Sequence, residues 1–186
     1  MSITQRRNDP DRRARIIEAT LEMLAEHGVS QVTHRKIAQA AGVPLGSMTY
    51  YFTGIDALIC EAFTQFAGQM SDGFSQHLQQ AENPQQACEA VADIICGACI
   101  ATPYQMQVMH QLYASAHCYP QLKTIMQAWM KRSQQSLERF FDPFTARALD
   151  AFIEGMALHY ITDSHPSSRQ EILDMIGRIT MVKVGE

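Results

Sequence analysis

The sequence has no long hydrophobic stretch. Nowhere among its 186 residues do about 20 apolar residues run together, the length that a membrane-spanning helix needs. The first residues are polar and rich in arginine, and no apolar stretch follows them, so no secretory signal is recognisable. We therefore expect a soluble, cytoplasmic protein without a membrane partner.

The sequence also lacks a paired set of cysteines and any recognisable catalytic motif. Five cysteines are an odd number, and without an export signal we expect reduced thiols rather than disulfides. Charged residues make up 18% and hydrophobic residues 46% of the chain, a composition typical of a globular protein. The sequence contains no nucleophile elbow, glycine-rich phosphate loop or metal-binding box. These absences predict a protein that is not an enzyme and uses no cofactor or metal.

Positive charge is concentrated near the N-terminus. The net charge is −4, which by itself argues against nucleic-acid binding. However, residues 1–55 hold seven Lys or Arg against five Asp or Glu, whereas the rest holds eight against fourteen. This asymmetry predicts that the N-terminal part contacts phosphate and that the rest has another role.

Helical signals dominate the whole chain, and no segment is a convincing strand. A capping residue followed by proline, which starts helices, occurs at 83–84, 102–103 and 142–143. We therefore predict an all-α fold with nine helices. Their predicted ranges are 11–28, 33–42, 44–52, 56–80, 84–101, 103–117, 120–141, 143–162 and 167–182.

The second and third predicted helices form a helix-turn-helix pattern. Ile37 and Ala38 give the first of them a small apolar face, and Gly42 permits a sharp turn after it. Met48 and Phe52, four residues apart, are expected to point inward. The residues then expected to face outward are Leu45, Gly46, Ser47, Thr49 and Tyr50. A helix with such short outer side chains fits a DNA major groove.

The segment from Arg12 to Leu58 resembles the N-terminal domain of the TetR (tetracycline repressor-like) family of bacterial regulators. The resemblance rests on Val32-Thr33-His34-Arg35-Lys36-Ile37-Ala38, Ala41-Gly42-Val43, Gly46-Ser47-Met48-Thr49-Tyr50-Tyr51-Phe52 and Asp56-Ala57-Leu58-Ile59. It implies an all-helical dimer with a helix-turn-helix domain over 1–55 and an effector-binding and dimerisation domain over 56–186. For such a homodimer we expect a repressor that a small molecule releases from a near-palindromic DNA operator. Activation of transcription stays the alternative, because the direction depends on where the operator lies relative to the promoter.

The resemblance also implies which residues meet DNA. Arg35, Leu45, Gly46, Ser47 and Thr49 would face bases, and Thr33, His34, Tyr50 and Tyr51 would face phosphates. From its position, Lys36 is expected to contact the backbone or solvent. Residues 1–10 are expected to form a flexible basic arm, in which Arg6 and Arg7, together with Arg12 and Arg13, add sequence-independent affinity for DNA. The sequence departs from the family at Ile55, where a lysine is usual, and at Thr49, where an aromatic residue is common.

Three features of the remaining chain have more than one interpretation. Cys96 and Cys99 are either buried thiols in an apolar helix or, with Cys118, a thiol sensor. An apolar set with polar tips either packs the core or lines a pocket for a hydrophobic or aromatic effector. That set is Tyr104, Met106, Met109, His110, Tyr113, Met126, Trp129 and Met130. Residues 143–182, including Ile172 and Ile176, either form the dimer interface that the resemblance implies or pack within one subunit.

Overall fold

The computed structural model describes residues 9–97 and 102–181, and only the backbone of residues 160 and 161. The described residues form nine α-helices, one short 3-10 helix (Val29–Gln31) and no strand, which confirms the all-α prediction. The helices are α1 (Arg12–His27), α2 (His34–Ala40), α3 (Gly46–Tyr51), α4 (Ile55–Gln79), α5 (Pro84–Ile95), α6 (Pro103–Ala116), α7 (Pro120–Leu137), α8 (Pro143–Thr162) and α9 (Arg169–Thr180).

The chain divides into two compact units. Of the described residues, 9–66 and 107–125 form the first unit, and 67–97, 102–106 and 126–181 form the second. The helix-turn-helix helices therefore share a unit with part of α6 and the start of α7. The division at residue 55 between DNA-binding and effector-binding parts is a functional one and stays a prediction.

In the first unit α1 packs against α2, and α2 against α3. Ile16 and Leu24 of α1 are fully buried, as is Ile37 of α2. Helix α1 stops at Gly28, whose φ of 73° lies in the region that favours glycine. A side chain at Gly28 would also have little room, because its Cβ would lie 3.0 Å from Oε1 of Gln111 on α6.

In the second unit α5, α8 and α9 pack on one another around a shared apolar core. Side-chain caps set the starts of these helices. The Asn83 side chain accepts a hydrogen bond from the backbone N–H of Gln86, and Asp142 accepts from those of Phe144 and Thr145. Ser168 and Glu171 form a reciprocal capping box at α9. The sequence patterns therefore located these helix starts to within two residues.

Two helices end earlier than predicted. Helix α5 stops at Ile95 rather than 101, since Cys96 caps it and Gly97 has a φ of 80°. Helix α7 stops at Leu137 rather than 141. There the backbone N–H of Phe141 bonds to the Leu137 carbonyl, and Phe141 is buried in the core of the second unit. Beyond α7 the side chains of Phe140 and Phe141 still pack against this core, which is why the apolar pattern predicted a longer helix there.

Candidate nucleic-acid interface

Hydrogen bonds from backbone N–H groups fix both ends of α2. At its start the Thr33 hydroxyl oxygen accepts from the backbone N–H of Lys36 at 3.3 Å. At its end Gly42 has a φ of 62°, and the N–H of Val43 bonds to the Ala38 carbonyl at 3.0 Å. This is the Schellman pattern that glycine favours, and it turns the chain sharply into α3.

Helix α3 has two distinct faces. Met48 is fully buried and Phe52, which caps the helix, is 5% exposed, so both point inward as predicted. On the other face Leu45 is 49% exposed and Tyr50 is 80% exposed, with Gly46 and Thr49 also at the surface. The exposed face therefore carries mostly short side chains.

The expectation that Ser47 faces outward is wrong. Ser47 is 7% exposed, because it lies one turn before Tyr51 and beside Met48 on the inward side of this six-residue helix. The outward face thus consists of residues 45, 46, 49 and 50, two pairs that are one turn apart.

Tyr50 and Tyr51, at the end of α3, differ in how exposed they are. Their rings stack edge to face, with centroids 4.8 Å apart and planes at 88°. Tyr50 projects into solvent, whereas Tyr51 is half-buried. Of the two phenols, that of Tyr50 is therefore the more accessible to a partner.

The side chains at the start of α2 differ in exposure and in hydrogen bonding. Arg35 is exposed and makes no hydrogen bond or ion pair with the described residues. Lys36 is exposed too, but its Nζ donates to the Gln31 carbonyl at 2.9 Å. His34 is half-buried, and its Nε2 is enclosed without a hydrogen-bond partner among the described residues. Arg35 is thus the freest cation on this helix.

The assignment of Arg12 and Arg13 to a mobile arm is also wrong. Both belong to α1, which begins at Arg12. Arg13 forms an ion pair with Glu61 and lies over the Phe52 ring, 5.3 Å from its centroid, so it joins α1 to α3 and α4. Residues 1–8, which would make up most of the arm, lie outside the described residues.

The residues predicted to line an effector pocket are distributed over both units. Met106 and Trp129 of the second unit are buried, and Met126 and Met130 are half-buried. Tyr104 of the same unit is 40% exposed. In the first unit Met109 is buried, while His110 and Tyr113 are half-buried. A pocket role for these residues stays a prediction.

The cysteines differ in accessibility. Cys88 is buried and Cys118 exposed, while Cys96 is half-buried at the end of α5 rather than inside a helix. Burial raises the pKa of the Cys96 thiol, which keeps it protonated and poorly nucleophilic. Cys99 lies outside the described residues. Within the described ranges, no three His, Cys, Asp or Glu side chains are grouped closely enough to hold a metal ion.

Helix α8 presents an apolar stripe to solvent. Phe144 is 85% exposed and Leu158 is 40% exposed, and three small residues on the same stripe are exposed between them. Those residues are Ala148, Ala151 and Gly155. By contrast, Ile172 and Ile176 of α9 are fully buried in their own core, so the interpretation of packing within one subunit holds for them. No helix in the described ranges is long and apolar enough to cross a membrane.

Sequence motifs did not point to two buried polar residues of the second unit. Asp150 of α8 is 6% exposed and Ser71 of α4 is 3% exposed. Asp150 lies one turn after Ala146, on the face that α8 buries. The spacing of the apolar residues along α8 would therefore have predicted that Asp150 is buried.

Comparison with known proteins supports a regulatory function. The family model described as bacterial regulatory proteins, tetR family, matches residues 16–62, which include all of α2 and α3. The HTH-type transcriptional regulator BetI 1 of Chromohalobacter salexigens is 34% identical over 85 residues. That alignment covers 45% of this chain and 42% of the relative, so it spans less than half of the curated protein.

Solved structures match over nearly the whole chain. A transcriptional regulator from Streptomyces coelicolor A3(2) is 44% identical, with a TM-score of 0.86, and the match covers 93% of this chain and 100% of that one. The multidrug binding protein EbrR in complex with malachite green is 26% identical, with a TM-score of 0.77 and the same coverage. EbrR is also known in complex with imidazole, proflavin and ethidium.

Proposed function

This chain belongs to the TetR family of bacterial regulatory proteins and is a helix-turn-helix transcriptional regulator, and on that basis we propose that it is a cytoplasmic, homodimeric repressor. We infer that a small-molecule effector releases it from a near-palindromic operator. Members of this family are DNA-binding regulators rather than enzymes, so the function depends on binding equilibria alone.

The exposed face of α3 carries the DNA-binding part of the proposal. Buried Met48 holds that face outward, and Leu45, Gly46 and Thr49 are short enough for the helix backbone to approach base edges closely. Arg35, which has no partner among the described residues, is available to bond a guanine through both of its terminal nitrogens. Base reading is therefore assigned to these four residues, and Ser47 is left out because it is buried.

Phosphate contacts are assigned to residues around that face. Tyr50 places its phenol in solvent beside the short side chains, and the Thr33 hydroxyl still has a hydrogen to donate although its oxygen caps α2. Tyr51 is half-buried and His34 has one enclosed nitrogen, so each offers a more restricted contact. Lys36 would contribute charge after leaving the Gln31 carbonyl.

The apolar stripe on α8 supports self-association. A helix with Phe144 and Leu158 in water and small residues between them can pack closely against a second copy of itself. A two-fold dimer presents two recognition helices, and successive major grooves require them to be about 34–36 Å apart. The operator would then be a near-palindrome.

The buried and half-buried methionines and Trp129 of the second unit support effector binding. Such side chains adapt to apolar and aromatic molecules, and the similar protein EbrR binds compounds of that kind in its crystals. An effector that prefers a conformation with a different separation of the recognition helices would release DNA through that preference alone.

Paired substitutions on α2 test the DNA-binding assignment. Arg35→Ala should weaken operator binding by about 1–3 kcal/mol and relax base preference at one position in each half-site. Lys36→Ala, its matched neighbour, should weaken binding to all sequences alike and reduce the salt dependence. Selection of bound fragments from random DNA, followed by gel shifts of the selected sites, measures both. Unchanged affinity and preference for Arg35→Ala would refute its role.

Light scattering tests the dimer. A monomer at micromolar concentration would contradict self-association through α8, and Phe144→Asp should shift the equilibrium toward monomer because it places a charge in the stripe. Transcription from the selected operator with purified polymerase distinguishes a repressor from an activator.

A further inference from the structure

The interior of the second unit contains polar side chains on three helices. Ser71 of α4, Ser133 of α7 and Asp150 of α8 are each at least nine-tenths buried. Hydrogen bonds between side chains join these helices. Ser75 and Ser136 connect α4 to α7 at 2.9 Å, one turn beyond Ser71, and Gln134 next to Ser133 donates to Asp150 at 2.9 Å. The three buried polar residues thus lie beside the points where α4, α7 and α8 are joined.

Asp150 is a buried carboxylate without a cation. Its one hydrogen bond within the described residues comes from the neutral side-chain amide of Gln134, and no Lys, Arg or His forms an ion pair with it there. Burying a carboxylate that is not paired with a cation costs free energy, because the carboxylate loses its hydration and gains few compensating interactions. The other acidic residues of this unit that form ion pairs, among them Asp72 with Arg132 and Asp93 with Arg169, lie closer to the surface.

Ser71 provides a second, independent observation. Its hydroxyl oxygen is enclosed and has no hydrogen-bond partner among the described residues, although a helical serine can usually bond to the carbonyl one turn earlier. An unsatisfied buried hydroxyl is uncommon in folded proteins and calls for an explanation. A ligand with a polar group would supply the missing partner.

We propose that the second unit binds an organic cation whose positive charge lies against Asp150 and whose hydrogen-bonding group reaches Ser71. This proposal rests on the effector role proposed above and narrows the effector from hydrophobic or aromatic molecules to cationic ones. The cation would replace the solvation that Asp150 loses on folding, and in a water-poor interior the attraction is stronger than at the surface.

The apolar part of such a ligand also has suitable surroundings. Trp129 is buried on the same face of α7 as Ser133, one turn earlier, and the face of an indole attracts cations. Met126 and Met130 lie on that same side of α7 and are half-buried. A flat or quaternary cation fits this combination of one carboxylate, hydroxyls, sulfur and an aromatic ring.

The test compares two aspartates in the purified full-length chain. Asp150→Asn removes the buried charge but keeps an oxygen that can accept from Gln134, and Asp72→Asn is the matched control at the surface. Ethidium and proflavin serve as cationic probes, and the anionic dye anilinonaphthalene sulfonate serves as the comparison. Trp129 is the sole tryptophan, so quenching of its fluorescence reports on the interior of this unit.

We expect Asp150→Asn to weaken the cationic dyes about 10- to 100-fold, as for loss of a charge-assisted bond, and not to weaken the anionic dye. Asp72→Asn should change the affinity for either dye less than about twofold, because its pair is exposed. Without any dye, Asp150→Asn should melt at the same temperature as the parent or higher, since its uncompensated charge is gone.

Three results would overturn the proposal. These are failure of the parent chain to bind either cation, equal cation affinity in Asp150→Asn, and an equal loss of both dye types with a lower melting temperature. DNA release is measured separately by operator gel shift. Cations that depend on Asp150 but leave the operator complex intact would refute the effector role and keep the cation site. If an uncharged compound released operator DNA from both the parent chain and Asp150→Asn, the effector role would be supported. The dye titrations would still decide whether the cation site exists.

Discussion

The two units differ in where the polar side chains assigned to ligand binding lie. In the first unit Arg35, Thr49 and Tyr50 face solvent, and the buried Thr20 hydroxyl is satisfied locally by the Ile16 carbonyl at 2.7 Å. In the second unit Asp150 and Ser71 are enclosed, with one neutral partner for the first and none for the second among the described residues. The DNA proposed to bind the first unit would therefore stay outside it, and the ligand proposed for the second unit would have to enter its interior.

This difference follows from the kinds of molecule that each unit would bind. A DNA duplex is a large polyanion that a folded protein can meet only at its surface, where charges keep most of their water. A small effector can be surrounded, so that a single buried carboxylate acts in a low dielectric. One exposed arginine and one buried aspartate can thus matter equally to their respective ligands.

The largest effect is expected from removing the buried anchor beneath the exposed face of α3. Met48→Ala should lower the free energy of unfolding by about 2–5 kcal/mol, because a fully buried side chain is lost and a cavity remains. Operator binding should fall with it, since α3 would no longer be held in place. Urea denaturation and gel shifts measure the two effects.

Tyr50→Ala on the same helix is the control for Met48→Ala. Tyr50 is 80% exposed, so this change should leave the unfolding free energy within about 0.5 kcal/mol while still weakening DNA binding. If Met48→Ala bound the operator as tightly as the parent, the outer face would not depend on its buried anchor, and the contrast between the units would lose its physical basis.

A smaller effect is expected from two buried hydroxyls, and it should have opposite signs. Thr20→Val removes a satisfied hydrogen bond and should cost about 1 kcal/mol. Ser71→Ala removes an unsatisfied hydroxyl with almost no change of volume and should stabilise the ligand-free chain by about 1 kcal/mol. Thermal melting of both variants without ligand measures the shifts, about 2–4 °C per kcal/mol for a chain of this size. Destabilisation by Ser71→Ala would show that this hydroxyl has a partner in the folded chain.

The sequence predicted features that depend on neighbouring residues and missed those that depend on distant ones. The start of α8 at Asp142-Pro143 and the turn at Gly42 follow from local capping chemistry, and both were located correctly. The helix-turn-helix could be predicted for the same reason. The end of α7 and the burial of Ser47 depend on packing. The enclosure of Asp150 depends on α7 lying beside α8, which spacing along the chain does not specify.

The smallest effect concerns Asp142, the N-cap of α8, which differs from Asp150 in accepting several hydrogen bonds. A hydrogen bond from the Thr145 hydroxyl, followed by bonds from the backbone N–H groups of Thr145 and Phe144, lowers the pKa of Asp142 below its ordinary value. The Asp142 carboxyl group therefore binds a proton less readily in the native state than in the unfolded state. The stabilisation is present above the unfolded pKa and is lost as the pH falls through the lowered folded pKa.

Asp142→Asn keeps a good N-cap but does not titrate, so its melting temperature should match the parent near neutral pH and fall less steeply below about pH 4. A difference between the two melting curves that stays constant with pH would mean that the Asp142 charge does not stabilise α8, and the cap would then act through hydrogen-bond geometry alone.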